Sequence, residues 1–226
     1  MDIPTWGPGS KRQRKQLASK NEKGEIIQMP KYFTKSEARN AAGGLLAKSH
    51  LKKASAQVLN EARSSAKDSE TFDVFLSHSI ADADLVLGIK DILEERGLKV
   101  YVDWEADSQL DRSKVNPETA DLLRRRMKQS NSLLYLATES ASSSKWMPWE
   151  LGYFDGLRGG QVAVMPLLDN ETDSFKGQEY LGLYPTVTKD TYRGSNHKDV
   201  FVEGRGKWTT LQEFNTGKPT WRAYSP

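Results

Sequence analysis

The 226-residue chain has no cysteine and only three histidines, His50, His78 and His197, scattered along its length. Without cysteine there is no disulfide framework, no thiolate nucleophile and no thiolate zinc site, and three dispersed histidines make no ligand cluster. The expectation is a protein that uses neither a metal nor cysteine chemistry. No apolar run approaches the roughly 18–20 residues that span a bilayer. The opening Met1-Asp2-Ile3-Pro4 lacks the apolar core and small cleavage-site residues of a secretory signal. The chain is therefore expected in the cytoplasm, without a membrane partner. What is present is the mixture of a soluble protein, 37% apolar and 28% charged residues. Its length holds one α/β core of ordinary size and one smaller unit.

Charge is unevenly spread. Residues 1–70 carry fourteen Lys/Arg against seven Asp/Glu, a net +7, which leaves −4 for the remainder of a chain whose total is +3. Such a basic segment either touches nucleic acid or an acidic partner, or is a solvated arm. Without interleaved aromatics it reads as the arm, and no nucleic-acid partner is assigned.

Residues 1–33 hold the run Lys11-Arg12-Gln13-Arg14-Lys15, Gly and Pro punctuation and few large apolar residues, which predicts a flexible basic lead-in. Residues 34–70 predict a helical extension and linker. Thr34-Lys35-Ser36-Glu37 fits a capping box, an Ala-rich stretch runs to about Arg63, and Gly43-Gly44 predicts a break between two helices. From residue 71 the pattern becomes regular. Phe72–Leu76 reads as a strand, Asp82 as the cap of a helix with Leu85, Ile89, Ile92 and Leu93 on one face, and Gly97 as its end. Lys99–Asp103 is a second strand, Asn116-Pro117 starts a helix bearing Ala120, Leu123 and Met127, and Leu133–Ala137 is a third strand. A helix over Trp149–Leu157 ends at Gly159-Gly160, before an apolar strand over Val162–Leu168. Alternating strands and helices predict an α/β domain over 71–185, with a central parallel sheet covered on both faces and functional residues at the carboxyl ends of its strands. Residues 186–226, with Trp208, Phe214, Trp221 and Tyr224, predict short strands or an ordered tail packed on that domain.

Three segments carry a family resemblance. Asp73-Val74-Phe75-Leu76-Ser77-His78-Ser79 resembles the first-strand motif of Toll/interleukin-1 receptor (TIR) domains, Tyr101-Val102-Asp103 their second-strand motif, and Trp146-Met147-Pro148-Trp149-Glu150 their Trp-x-x-x-Glu element. The resemblance covers about 100 residues and implies a flavodoxin-like TIR fold. It also implies an enzyme that cleaves the nicotinamide–ribose bond of NAD+ as substrate, with no further cofactor, as in bacterial antiphage systems such as Thoeris. It implies homo-oligomers built through TIR–TIR contacts and a separate effector protein that senses the product.

The resemblance gives Glu150 the catalytic role, and the chemistry agrees. The nicotinamide leaving group already carries positive charge and departs without a general acid, whereas the oxocarbenium-like centre it leaves behind needs a nearby carboxylate. The bland alternative is a solvated carboxylate at a helix start. Trp146 is either a wall of the substrate pocket or ordinary core. His78 either contacts the nucleotide or is satisfied by loop backbone, and is not assigned as a general base. Asp103 either approaches the ribose or caps a turn, with Glu105 and Asp107 as weaker candidates. Ser77 and Ser79 flank His78 at the ligand-binding end, and Ser144, in the run Ser142-Ser143-Ser144, either caps the next helix or contacts ligand. Arg124-Arg125-Arg126 reads as a solvated helix face, the alternative being a phosphate or partner site. The polar loop 104–116 departs from the family's Pro- or Gly-centred version. Two other functions compete: a noncatalytic TIR–TIR adaptor or mimic of host signalling, and a deoxyribosyltransferase-like enzyme of similar layout. The Trp-x-x-x-Glu element favours the NAD+-cleaving reading over both.

Overall fold

The computed structural model describes residues 31–48, 54–104, 117–171, 173–191 and 198–224. The lead-in up to residue 30, the loop 105–116, His50 and His197 lie outside them. The chain opens with a two-residue strand, β1 (Phe33–Thr34), and helix α1 (Lys35–Lys48). The capping box forms: the Glu37 N–H donates to Thr34 Oγ1 at 3.2 Å and the Thr34 N–H to Glu37 Oε2 at 2.9 Å. The expected break at Gly43-Gly44 does not occur, and α1 runs through both glycines. They sit on the exposed side, while the opposite side buries Ala38 and Ala42, and that packing outweighs a propensity cost of about 1 kcal/mol per glycine.

Helix α2 (Ser55–Ser65) is followed by β2 (Phe72–Ser77), a 3-10 turn (Ile80–Asp82), α3 (Ala83–Glu94), β3 (Val100–Tyr101), α4 (Pro117–Lys128) and β4 (Ser130–Ala137). After a second 3-10 turn (Ser140–Ser143) come α5 (Trp146–Leu157), β5 (Val162–Leu168), a third 3-10 turn (Glu179–Leu183) and β6 (Thr186–Thr191). The end of the chain supplies β7 (Lys198–Gly204), β8 (Lys207–Thr210), the single turn α6 (Leu211–Phe214) and β9 (Arg222–Ala223). Gly97 ends the α3 segment at φ 80°, the left-handed conformation that glycine adopts without a Cβ penalty.

Among the described residues the strands form one sheet in the order β3-β2-β4-β5-β6-β7-β8-β9, with β1 paired to β5. The run from β3 to β6 is parallel, and β6 to β9 is antiparallel. The C-terminal segment thus continues the sheet by hydrogen bonding. Helices cover both faces. Leu134 and Leu136 of β4 point into a layer with Leu59 of α2 and Val86, Ile89 and Leu93 of α3. Leu133 and Tyr135 point the other way, towards Leu123 and Met127 of α4 and Met147, Leu151 and Phe154 of α5. The chain leaves β2 for β3 on one side and returns to β4 on the other, so the strand order reverses at the β2/β4 boundary. In such sheets the crevice at the carboxyl ends beside that reversal is the natural ligand site.

The N-terminal helices belong to this core. A Cβ placed on Gly88 of α3 would lie 1.7 Å from the Ala38 carbonyl oxygen of α1, so the two backbones meet at a distance only glycine permits. In front of α1, β1 pairs in parallel with the end of β5, Phe33 opposite Leu167 and Thr34 opposite Leu168. Lys31 exchanges backbone hydrogen bonds with Lys189 of β6. Four charges close this corner: Glu171 meets Lys31 at 2.9 Å and Lys189 at 2.8 Å, and Lys189 also pairs with Glu37. No helix among the described residues is long and apolar enough to cross a membrane.

Two predictions follow from the packing and the charge corner. Gly88→Ala, which would add about 1 kcal/mol of helix propensity in a solvated helix, is expected to lower the unfolding free energy by about 1–3 kcal/mol through overpacking. Urea denaturation measures it, and a stabilised Gly88→Ala protein would contradict the close approach. The Lys189 and then the Lys31 hydrogen bonds hold the Glu171 carboxyl at about 2, below its ordinary 4.5. Its contribution to stability is therefore complete above about pH 4.5 and is lost as pH falls towards 2. NMR titration of the Glu171 carboxyl is expected to show that low midpoint, returning to the ordinary range in Lys189→Met.

Candidate functional site

Helix α5 starts at Trp146, three residues before the expected Trp149, and Pro148 is its third residue. The first four N–H groups of a helix have no partner within it, so proline is tolerated there. Its approach is capped by Ser144, whose Oγ accepts the Met147 N–H at 3.3 Å, while Ser142 and Ser143 donate to the Glu139 and Ser140 carbonyls. This register puts Trp146 and Glu150 four residues apart on one buried helix face, 7% and 6% exposed.

Glu150 lies at the strand reversal. Ser77, the last residue of β2 and itself 1% exposed, donates its hydroxyl to Glu150 Oε2 at 2.5 Å. Ser77 is opposite Tyr135 of β4 in the sheet register. Burial pushes the Tyr135 phenol above its ordinary range, and the Glu150 carboxylate adds to that, so the phenol stays protonated. A buried carboxylate needs the donor that Ser77 supplies.

His78 leaves β2 with its Nδ1 2.8 Å from the Leu76 carbonyl oxygen. A carbonyl only accepts, so Nδ1 carries the proton, and the ring is held by the backbone of β2. Its face stacks on Trp104, with centroids 5.3 Å apart and planes 10° from parallel. Trp104 is buried, and its Nε1 has no hydrogen-bond partner among the described residues. Next to it, buried Asp103 accepts from Arg63 Nε at 2.9 Å and from the Tyr101 hydroxyl at 3.3 Å, both on Oδ1. Burial first, then the Asp103 charge, raise the Tyr101 phenol well above its ordinary value, so it remains a donor.

The structure brings Ser77 and Glu150 into contact, sets Trp146 one turn before Glu150, and joins His78 to the Asp103 segment through Trp104. Ser79 and Ser144 act as caps, Ser79 Oγ accepting the Ala81 N–H at 3.4 Å. Trp146 packs in the apolar cluster with Met147 and Leu151, and meets Trp149 edge-on at 5.4 Å. Asp82 takes the N-cap position of α3, but its side chain makes no cap hydrogen bond. Its carboxylate instead accepts the Thr138 and Ser140 hydroxyls at 2.6 and 2.9 Å, tying the exits of β2 and β4 together. Arg126 departs from its expected solvated face: it is 6% exposed and donates to the Ala66 and Lys67 carbonyls at the end of α2. Its helical position adjoins Met127 and follows Leu123 by three, which turns it inward. Arg63 and Trp104 escaped sequence reasoning. Arg63 meets Asp103 across 40 residues, and no local pattern reports such a pairing.

The chain matches the TIR domain family model over residues 74–193. A Bacillus cereus protein named "Probable 3' cyclic ADP-D-ribose synthase ThsB'" is 42% identical over 179 residues, which cover 77% of this chain and 92% of that protein. A Cytobacillus dafuensis protein named "Putative cyclic ADP-D-ribose synthase TIR2" is 31% identical over 88 residues, 38% of this chain and 23% of that protein.

If the Ser77 hydroxyl serves the Glu150 carboxylate, Ser77→Ala should cost about 1–3 kcal/mol of stability in the native background. In a Glu150→Leu background it should cost less than about 1 kcal/mol. Denaturant titration of the four proteins gives the comparison, and equal costs in both backgrounds would break the link.

Proposed function

Because the chain belongs to the TIR domain family, we propose that it is an NAD+-processing enzyme of bacterial antiviral defence, which cleaves the nicotinamide–ribose bond and closes the freed ADP-ribose into a cyclic signal. The observation that carries this reading is the Glu150 carboxylate, buried at the strand reversal with one oxygen held by Ser77. In the reaction the bond from C1′ to the nicotinamide nitrogen breaks, and its electron pair neutralises the departing ring. Positive charge moves to the ribose, where a fixed carboxylate in a dry site stabilises it. A hydroxyl of the same molecule then bonds to C1′ and loses its proton, giving the cyclic product. If water takes its place, the outcome is hydrolysis. The steps balance with NAD+ alone, without a redox partner or metal.

Two features support cyclisation over hydrolysis. The relative at 42% identity is named for a 3′ cyclic product, so a 3′ hydroxyl is the acceptor we favour. Trp146, beside Glu150 on the buried face of α5, offers an aromatic surface on which a flat ring can stack while water is kept away. In the same reading Asp103 and His78 meet the nucleotide, copies of the chain assemble through TIR–TIR contacts, and a separate effector protein senses the product.

Mass spectrometry of NAD+ incubated with the purified chain tests this, with crowding agent or infected-cell extract as added conditions. The expected result is free nicotinamide together with a product one water lighter than ADP-ribose. Glu150→Gln, with unchanged circular dichroism, is expected to lose at least about 100-fold of the rate. Turnover that survives in the folded Glu150→Gln protein would rule out the carboxylate's role, and linear ADP-ribose as sole product would replace cyclisation by hydrolysis.

A further inference from the structure

The Arg63–Asp103 pair joins two parts of the chain that the family match separates. Arg63 lies eleven residues before residue 74, where the match begins, and Asp103 lies within it. A carboxylate as buried as Asp103 calls for a hydrogen-bonded partner of opposite charge. Arg63 supplies one that does not lose its proton. Its Nε and the Tyr101 hydroxyl both donate to Oδ1, so the carboxylate is gripped from two directions on a single oxygen, which fixes its rotation. The adjacent residue, Trp104, stacks on His78, so the orientation of Asp103 is continuous with the wall of the site.

Arg63 is itself held firmly. At the start of α2 the Ser55 hydroxyl donates to Asp84 of α3 at 2.5 Å, and mid-helix Leu59 is completely buried in the core layer shared with α3. At the end of α2 the Arg126 guanidinium binds the Ala66 and Lys67 carbonyls at 2.8 and 2.9 Å. A helix anchored at both ends and in the middle presents the guanidinium at a set place. The arrangement resembles the outer supports of designed sites, where precision comes from the groups behind the ones that touch ligand.

We infer that Arg63 is a positioning residue of the active site, holding the Asp103 carboxylate oriented for the ribose hydroxyls of NAD+, and that α2 is therefore part of the catalytic unit. This rests on the reading of the chain as an NAD+-processing enzyme in which Asp103 meets the substrate. An oriented carboxylate that binds ribose hydroxyls contributes to ground state and transition state alike, so its loss appears in KM more than in kcat.

Steady-state kinetics on NAD+ with the full chain tests it, using Arg63→Ala, Arg63→Lys, Ser55→Ala, Asp103→Asn and the Arg63→Ala/Asp103→Asn double variant. Arg63→Ala is expected to raise KM about tenfold with kcat within about twofold. Arg63→Lys, which keeps the charge and should fold even if the alanine variant does not, is expected to recover part of that loss. Ser55→Ala loosens the far end of the same helix without touching Asp103, and is expected to lower the melting temperature while raising KM less than Arg63→Ala does. In the Asp103→Asn background Arg63→Ala is expected to add nothing further. The inference is overturned if Arg63→Ala and Arg63→Lys both keep the native KM, or if the Arg63 and Asp103 effects add in full. A native chain that turns over no NAD+ under any condition would remove the underlying reading instead, a result separable from all of these.

Discussion

Burying a carboxylate is costly, and the architecture around Glu150 is arranged so that the cost is met locally. A charge removed from water requires hydrogen bonds or an opposing field. Ser77 supplies the hydrogen bond at the end of β2, and α5 brings the carboxylate to it from its second turn. Both depend on a register: β2 must end at Ser77 beside β4, and α5 must start at Trp146 so that its second turn carries Glu150 inward. The strand reversal between β2 and β4 opens the space over which the two meet. The Asp82 carboxylate, receiving one hydroxyl from Thr138 and another from Ser140, keeps the two strand exits from separating.

The parts of this arrangement that could be read in the sequence are those whose physics is local. The alternation of short apolar strands with amphipathic helices predicted the layered α/β sheet. Thr34 and Glu37, three residues apart, announce the start of α1. The errors were made where a distant contact overrode a local rule. Gly43-Gly44 suggests a break until Ala38 and Ala42 are seen packing against α3. Asp82 has the chemistry of a helix cap, but two hydroxyls from the far side of β4 claim its oxygens. Arg126 belongs to a basic run that reads as solvated, yet its phase on α4 sends it to the Ala66 and Lys67 carbonyls just beyond α2. Proline at residue 148 suggested a late helix start, although a first turn accommodates it.

The same distinction explains why the N-terminal extension looked separable. Its sequence is Ala-rich and basic, with little to mark it as core. In three dimensions α1 lies in backbone contact with α3, α2 holds Asp103, and β1 occupies the end of β5, where the charge corner of Glu37, Glu171, Lys31 and Lys189 secures it. The sheet itself finishes in short strands at both edges, two residues each in β3 and β9, which leaves little unpaired backbone to recruit another chain.

The backbone contact between Ala38 and Gly88 also links two positions that are fifty residues apart in the chain. Residue 88 cannot gain a side chain while α1 stays where it is. A related TIR domain that carries a larger residue at the place of Gly88 must either lack the leading helix or seat it elsewhere. The side chain at that one position of α3, well inside the family match, therefore reports whether an N-terminal helix of this kind lies on the domain, even in a sequence whose beginning is too divergent to align.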